Sequence, residues 1–211
     1  MKRLLVCLSC VAALGALVGT TLSSFSDEAS NGGNSFTAAA TFPCSQPGTQ
    51  TVTASTDAYV DQENPGTNYG NTTTLSVQSR NGSRNRRALV RFSLPSIPSN
   101  CALTAATLRL DANAATAGRT LQAQRVTSSW TETGVTWNLV PTTTTTGQAT
   151  VASGTGWRQW TVTTPVQAMY SGTNHGFLVR DSAESQGGGG ALQTFSSRTG
   201  ANSPQLVLTF G

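Results

Sequence analysis

The sequence has few of the side chains on which most protein chemistry depends. Only 10% of its 211 residues are charged, it has a single histidine, His175, and its only lysine is Lys2. A net charge of +4 that is carried almost entirely by arginine argues against general binding of nucleic acid. The two cysteines beyond residue 40 and the one histidine fall short of a zinc ligand set. We therefore expect no metal, no cofactor and no nucleic-acid partner.

The scarcity of acidic residues also weakens the case for catalysis. A glycosidase needs two carboxyl groups that face each other across a cleft, and most acids beyond residue 50 lie near predicted turns or strand ends. Glu132, between Trp130 and Trp137, is the best single candidate, but a carboxylate that accepts turn amides is the commoner arrangement. No nucleophile motif accompanies His175. We do not expect an enzyme.

Only one long apolar run is present, and it lies at the N-terminus. Lys2 and Arg3 precede an apolar stretch from Leu4 to Val18, which is typical of a secretory signal and too short for a stable membrane span. The following segment, TLSSFSDEASNGGNSFTAAATF, resembles the exported segments of camelysin-like and fibre-type bacterial proteins. We predict a signal and processing region over residues 1–40, and therefore a secreted, extracellular protein. Retention at the bacterial cell surface is the alternative location. Lipidation at Cys10 is the weaker alternative.

The cysteine count fits export. Cys7 and Cys10 lie within the predicted signal, so the mature chain keeps Cys44 and Cys101, an even pair in an oxidising compartment. A disulfide between these two is the first interpretation, and two free thiols are the alternative.

Short alternating segments dominate the rest of the chain, as expected for strands with one apolar face. The alternation is clearest at 74–78, 88–94, 105–111, 177–179 and 206–210, and weaker near Val52, Val60, Leu121, Val151, Val162 and Phe195. Turn residues such as Asn81-Gly82 separate the segments. About ten short strands predict an all-β fold, a two-sheet jelly-roll-like β-sandwich.

One short helical turn interrupts this pattern. Thr164 is expected to cap it, Pro165 to take its first position, and Val166 with Met169 or Tyr170 to face the core.

Several ordered segments occur together after residue 50. They are DAYV at 57–60, NPGTNYGN at 64–71, RALVRFSLPSIP at 87–98, LTAATLRL at 103–110, RVTSSWTETGVTWN at 125–138, WRQWTVTTPVQAMYSG at 157–172, GFLVR at 176–180, and the closing FSSR and PQLVLTF. Together they strongly resemble the bacterial DNRLRE domain, which is similar to carbohydrate-binding module family 96. Ser93 stands where that family usually has aspartate, and Met169-Tyr170 where tryptophan is common.

This resemblance implies an extracellular β-sandwich that is related to carbohydrate-binding modules, alginate binders among them. We accordingly predict a linker at 41–50 and one such domain at 51–211.

Exposed aromatic rings are candidates for contact with a sugar, because pyranose rings have apolar CH faces. In the segment 157–162, alternation places Trp160 in the core and Trp157 with Gln159 on the opposite face. Tyr59 and Tyr69 are further candidates, and packing within the protein is the alternative for each ring.

Arginines around a predicted hairpin are the second candidate element. Arg84, Arg86, Arg87 and Arg91 lie close together in the sequence, and guanidinium groups pair with the carboxylates of uronic-acid polymers. The alternative is a solvated outer face whose arginines pair with Asp111, Asp181 or Glu184. A calcium ion on Asp57, Asp61 and Glu63 is a further alternative, although no loop there has a recognisable calcium pattern.

These observations favour a secreted, non-catalytic module that binds a polysaccharide, expected to be acidic. A structural or adhesive protein of the cell surface or of fibres is the alternative.

Overall fold

The structure, a computed structural model, describes residues 43–186 and 190–211. The predicted signal and processing region lies outside these residues. Ten strands are described: β1 (Gly48–Asp61), β2 (Thr74–Ser79), β3 (Arg86–Phe92), β4 (Leu103–Ala115), β5 (Thr120–Val126), β6 (Thr143–Ala152), β7 (Gly156–Thr161), β8 (Phe177–Asp181), β9 (Ala191–Ser196) and β10 (Gln205–Phe210). A 3-10 turn at Trp137–Leu139 and one helix, α1 (Thr163–Ser171), complete the elements. The predicted all-β class is confirmed.

The strand pairings form a closed ring with two extensions. Strands β1, β10, β4, β9, β2 and β3 are neighbours in that order, and β1 also pairs with β3, which closes the ring. Strands β8, β5 and β6 continue outward from β3, and β7 pairs with β4. The predicted jelly-roll arrangement of two sheets is not confirmed by this continuous pairing.

Two long strands make the closure possible because each changes partner along its length. Residues 48–53 of β1 pair with β10, and residues 54–61 pair with β3 after a register shift between Ala54 and Thr56. Strand β4 likewise passes from β10 to β9, with a shift between Ala112 and Ala114. Such irregularities increase local twist and bend a strand. The weak apolar runs near Val52 and Val60 are therefore parts of one strand.

Buried side chains form a main core and a smaller second cluster on opposite faces of β3. Ala88, Val90 and Phe92 belong to the main core, together with Trp160 and Phe177. Leu89 points the other way, and Trp130 and Val135 from the 127–142 loop pack against it with Ala58 and Val60. This loop therefore covers a surface of β3 that alternation alone would leave to solvent.

Helix α1 is longer than the single turn that the sequence predicts. It begins at Thr163, its N-cap is Val162 and no side chain caps it, so the predicted cap at Thr164 and first position at Pro165 are wrong. The reason is tertiary: the Val162 N–H bonds to the Ala106 carbonyl, so the last residues of β7 lead directly into the helix. Val166 and Met169 are buried, as predicted. No helix in the described part of the chain is long and apolar enough to cross a membrane.

Cys44 and Cys101 form the expected disulfide, which links positions 57 residues apart in sequence. It connects the segment before β1 to the turn before β4, and the free-thiol alternative is thereby set aside.

Candidate functional site

Strand β7 separates its two tryptophans onto opposite faces. Trp160 is fully buried and its indole N–H donates to the Leu121 carbonyl oxygen at 3.2 Å. Trp157 is half-buried and Gln159 is exposed on the outer face, where Thr161 follows them. The prediction that Trp160 lies in the core and Trp157 outside it is therefore confirmed.

Register extends this outer face across four strands. Gln159 of β7 lies opposite Arg109 of β4, Arg109 lies opposite Gln205 of β10, and Gln205 lies opposite Thr53 of β1. The next row, in the same strand order, consists of Thr161, Thr107, Val207 and Thr51. We call Trp157 and these two rows the Trp157 face. It is a sheet surface of polar and short side chains with one aromatic ring at its margin.

Arg109 is the only charged residue in the two rows. Its guanidinium carbon lies 4.7 Å from the centre of the Trp157 ring, and its Nη1 donates to Gln205 Oε1 at 3.1 Å. Its Nε is buried without a hydrogen-bond partner, and Arg109 forms no ion pair with any acid of residues 43–186 and 190–211. Asp111, which lies opposite Trp157, instead accepts a bond of 2.7 Å from Asn202. Arg109 is therefore held in place while its charge is not neutralised by a neighbour.

Sequence reasoning did not single out Arg109, Gln205 or Thr53 as candidate site residues. Alternation does place Arg109 away from Leu108 and Leu110, and that is the available sequence signal. Nothing local indicates that Arg109 meets Trp157 or Gln205, because those contacts depend on the pairing of distant strands.

The hairpin arginines are divided between two faces of β3. Arg86 lies on the main-core side and pairs with Asp61, its Nη2 at 3.0 Å from Oδ2, whereas Arg84 forms an exposed pair of 3.3 Å with Glu63. Both arginines therefore have a carboxylate of the protein as partner, although neither partner is one of the acids that the alternative to a ligand-binding patch names.

Arg87 and Arg91 lie on the opposite face, against the tryptophans of the 127–142 loop. Arg87 makes two bonds of 2.7 Å to Glu184, and its guanidinium carbon lies 4.6 Å from the Trp137 ring centre. Arg91 is 5.4 Å from the Trp130 ring centre and donates to Thr56 Oγ1 at 3.1 Å. The structure thus does not bring the four predicted arginines together as one patch.

Tyr59 and Tyr69 form a second aromatic location. Their rings stack with centres 4.3 Å apart and an angle of 17°, and the Arg86 guanidinium carbon lies 5.9 Å from the Tyr59 ring. Both side chains are half-buried, and burial raises the pKa of the Tyr59 hydroxyl. Tyr59 belongs to the part of β1 that pairs with β3, whereas the Trp157 face uses the part that pairs with β10.

Glu132 joins three segments of the chain. It accepts the Asp57 N–H at 3.1 Å and two bonds from Arg198, at 2.6 and 2.8 Å, and the Arg198 N–H donates to Asp57 Oδ2 at 2.6 Å. Burial opposes ionisation of Glu132, but the bonds from Arg198 and Asp57 bring its pKa below the ordinary value. For Asp57, burial is the largest influence and raises the pKa to about 6, with the nearby Glu132 carboxylate adding to it. Both carboxyl groups thus serve contacts within the fold.

The acids considered for calcium have separate protein partners. Asp61 binds Arg86, Glu63 binds Arg84, and Asp57 accepts the Arg198 N–H. Across residues 43–186 and 190–211, no three potential metal ligands lie close enough together to hold an ion.

Comparison with known proteins identifies the family. A search of curated proteins found no match. The family model described as carbohydrate-binding module family 96 matches residues 48–210, from the first residue of β1 to the last residue of β10. This match covers most of the chain and agrees with the resemblance carried by the segments between residues 57 and 210. The chain belongs to carbohydrate-binding module family 96.

Proposed function

We propose that this protein is a secreted, non-catalytic module that binds an acidic polysaccharide on the Trp157 face. Membership of a carbohydrate-binding family supports a polysaccharide as the ligand. The observation that favours an acidic one is the Arg109 guanidinium, which stacks on Trp157 and has no ion pair among the described acids. An extracellular ligand follows from the predicted signal segment.

The chemistry of the face suits such a ligand. The CH groups of a pyranose ring pack on the exposed part of Trp157, and the sugar hydroxyls exchange hydrogen bonds with the Gln159 amide and neighbouring threonines. A uronate carboxylate takes paired, charge-assisted hydrogen bonds from Arg109. Stacking on Trp157 limits the motion of this guanidinium before binding, which reduces the entropy lost on association.

Competition inside the protein is the reason to prefer Arg109 over Arg84, Arg86 and Arg87. Arg84, Arg86 and Arg87 each have a carboxylate partner. A polysaccharide carboxylate would have to displace that partner and leave it without its cation. Arg109 requires no such exchange. Arg91 is set aside for a different reason, because its guanidinium donates to Thr56 Oγ1 and to the Trp130 carbonyl oxygen.

Binding of the purified protein to uronic-acid polymers and to neutral polymers tests the proposal. We expect retention by the uronic-acid polymers in affinity electrophoresis, weakening as salt is added. Arg109→Gln should lower the association constant at least about tenfold, as expected for the loss of a charge-assisted hydrogen bond. Arg84→Gln is the matched control, because it removes an arginine that already has an exposed partner in Glu63. Failure of every polymer to bind, or an equal effect of the two variants, would refute the proposal.

Trp157→Ala should also weaken binding without unfolding the domain. The ring is half-buried on β7, which pairs with β4 alone, unlike the fully buried Trp160. Urea unfolding of the variant distinguishes the two roles. Ordered self-association without retention by any polymer would favour the structural or adhesive alternative.

A further inference from the structure

We propose that Gln159, Arg109, Gln205 and Thr53 form one linear binding track that crosses four strands. The track would take a polymer segment of roughly three sugar residues and recognise its carboxylate near Arg109. This inference rests on the proposed function and specifies the direction, length and charge of the ligand on the Trp157 face.

Register establishes the track. Each of the four residues is the direct cross-strand partner of the next, so all four side chains lie on the same face. Three inter-strand spacings span about 14 Å, roughly the length of three pyranose residues in an extended chain. The residues at the two ends, Gln159 and Thr53, are exposed, and the two between them are half-buried.

The neighbouring row leaves the track accessible. Thr161, Thr107, Val207 and Thr51 are short side chains, so none of them reaches across the longer side chains of the track. A flat ring that lies over the track would contact Val207 and the threonine methyl groups at its edge. The face thus offers apolar support beside a row of hydrogen-bonding groups.

The charges of Arg109 and Asp111 favour an acidic polymer that runs across the strands over one that runs parallel to them. Along β4, Arg109 is followed on the same face by Asp111, at about 7 Å. An acidic polymer parallel to β4 would bring a carboxylate close to Asp111, which is unfavourable. The row across the strands contains no acid, so an acidic polymer meets only Arg109 and uncharged groups there.

The track is also asymmetric. Gln205 uses its Oε1 to accept a bond from Arg109, which leaves its amide nitrogen as a donor, and Thr53 offers a hydroxyl. The Arg109 end therefore selects for a carboxylate, whereas the Thr53 end accepts sugar hydroxyls. A polymer with acidic residues only at intervals therefore meets both requirements, a carboxylate near Arg109 and hydroxyls near Thr53. It meets them as fully as a polymer in which every residue is acidic.

Calorimetric titration with uronic-acid oligomers, from monomer to hexamer, tests the direction and length of the track. Affinity should rise up to about the trimer and then level off. Thr53→Ala should weaken trimer binding about fivefold, the effect of one lost hydrogen bond, and leave monomer binding unchanged. Thr49→Ala is the matched control, because Thr49 is an exposed threonine on the same strand and face but lies two rows from the track, outside the Trp157 face.

The outcomes separate this inference from the proposed function. Equal effects of Thr53→Ala and Thr49→Ala, or an affinity that still rises through the hexamer, would overturn the track. In either case a large loss of binding in Arg109→Gln would leave the acidic-polysaccharide function standing. Full binding by Arg109→Gln would refute both.

Discussion

Replacement of Asp57 by asparagine should stabilise the protein at neutral pH and change its stability little in acid. Asp57 is only 1% exposed, and burial with the nearby Glu132 carboxylate raises its pKa from 3.8 to about 6. The folded state therefore binds this proton more tightly than the unfolded state does. Asparagine keeps the shape of the protonated carboxyl and an oxygen that accepts the Arg198 N–H, but it carries no charge.

The direction and size of the effect follow from linkage. With a pKa that is raised on folding, the contribution of Asp57 to the free energy of unfolding is fully present below pH 3.8 and is lost as the pH rises through about 6. The pKa difference between 3.8 and about 6 corresponds to about 3 kcal/mol, which is the largest unfolding free energy that the ionisation of Asp57 can remove. Glu132 has a lowered pKa, and its contribution has the opposite pH dependence. The difference between wild type and Asp57→Asn isolates the Asp57 contribution.

Urea unfolding monitored by tryptophan fluorescence, from about pH 4 to about pH 7, measures this difference. The advantage of Asp57→Asn should grow with pH and approach about 3 kcal/mol at neutral pH. Asp61→Asn is the matched control, because Asp61 is equally buried on the same strand but pairs with Arg86. That variant should be less stable than wild type at neutral pH, since it leaves a cation without its partner. An Asp57→Asn variant that is less stable at neutral pH, or a difference that does not change with pH, would refute the reasoning.

Two further predictions concern stability. The double variant Cys44→Ser, Cys101→Ser should lose up to about 4 kcal/mol of unfolding free energy because the disulfide closes a loop of 57 residues; an unchanged urea midpoint would show that the bond does not constrain the unfolded chain. Gly70→Ala should lower the free energy of unfolding by about 1–3 kcal/mol, because the new Cβ would overlap the Glu132 carbonyl oxygen. Gly66→Ala serves as the control in the same unfolding assay, since there is open space around its new methyl group. Equal stabilities of the two glycine variants would contradict the close approach at Gly70.

Local pattern was sufficient for the strands and for the orientation of single side chains. Alternation assigned Trp160 to the core and Trp157 to the opposite face, and both assignments are confirmed. It failed where the chain changes partner, because the two weak runs around Val52 and Val60 belong to one bent strand. It also failed at the helix start, where a backbone bond from Val162 to Ala106 outweighs the local capping signal of Thr164.

The candidate site shows the same division. The sequence indicated Trp157 and Gln159, but it also grouped Arg84, Arg86, Arg87 and Arg91 because they are close along the chain. Successive residues of a strand point to opposite faces, and Arg86 and Arg87 therefore lie on different faces of β3 although they are adjacent in the sequence. Arg84, Arg86 and Arg87 pair with acids that lie up to about a hundred positions away, and no local pattern records such pairings.

By itself, the sequence determined the all-β class, the apolar side of each clear strand, the cysteine pair and the family resemblance. Each of these depends on residue type and short-range spacing, which the printed chain contains. Only the tertiary structure decided which outward side chains meet. Strand register brings Arg109 against Trp157 and Gln205, whereas the 127–142 loop brings Glu132 to the buried Asp57. Register between distant strands is set by packing of the whole core, and the arrangement of the Trp157 face is its consequence.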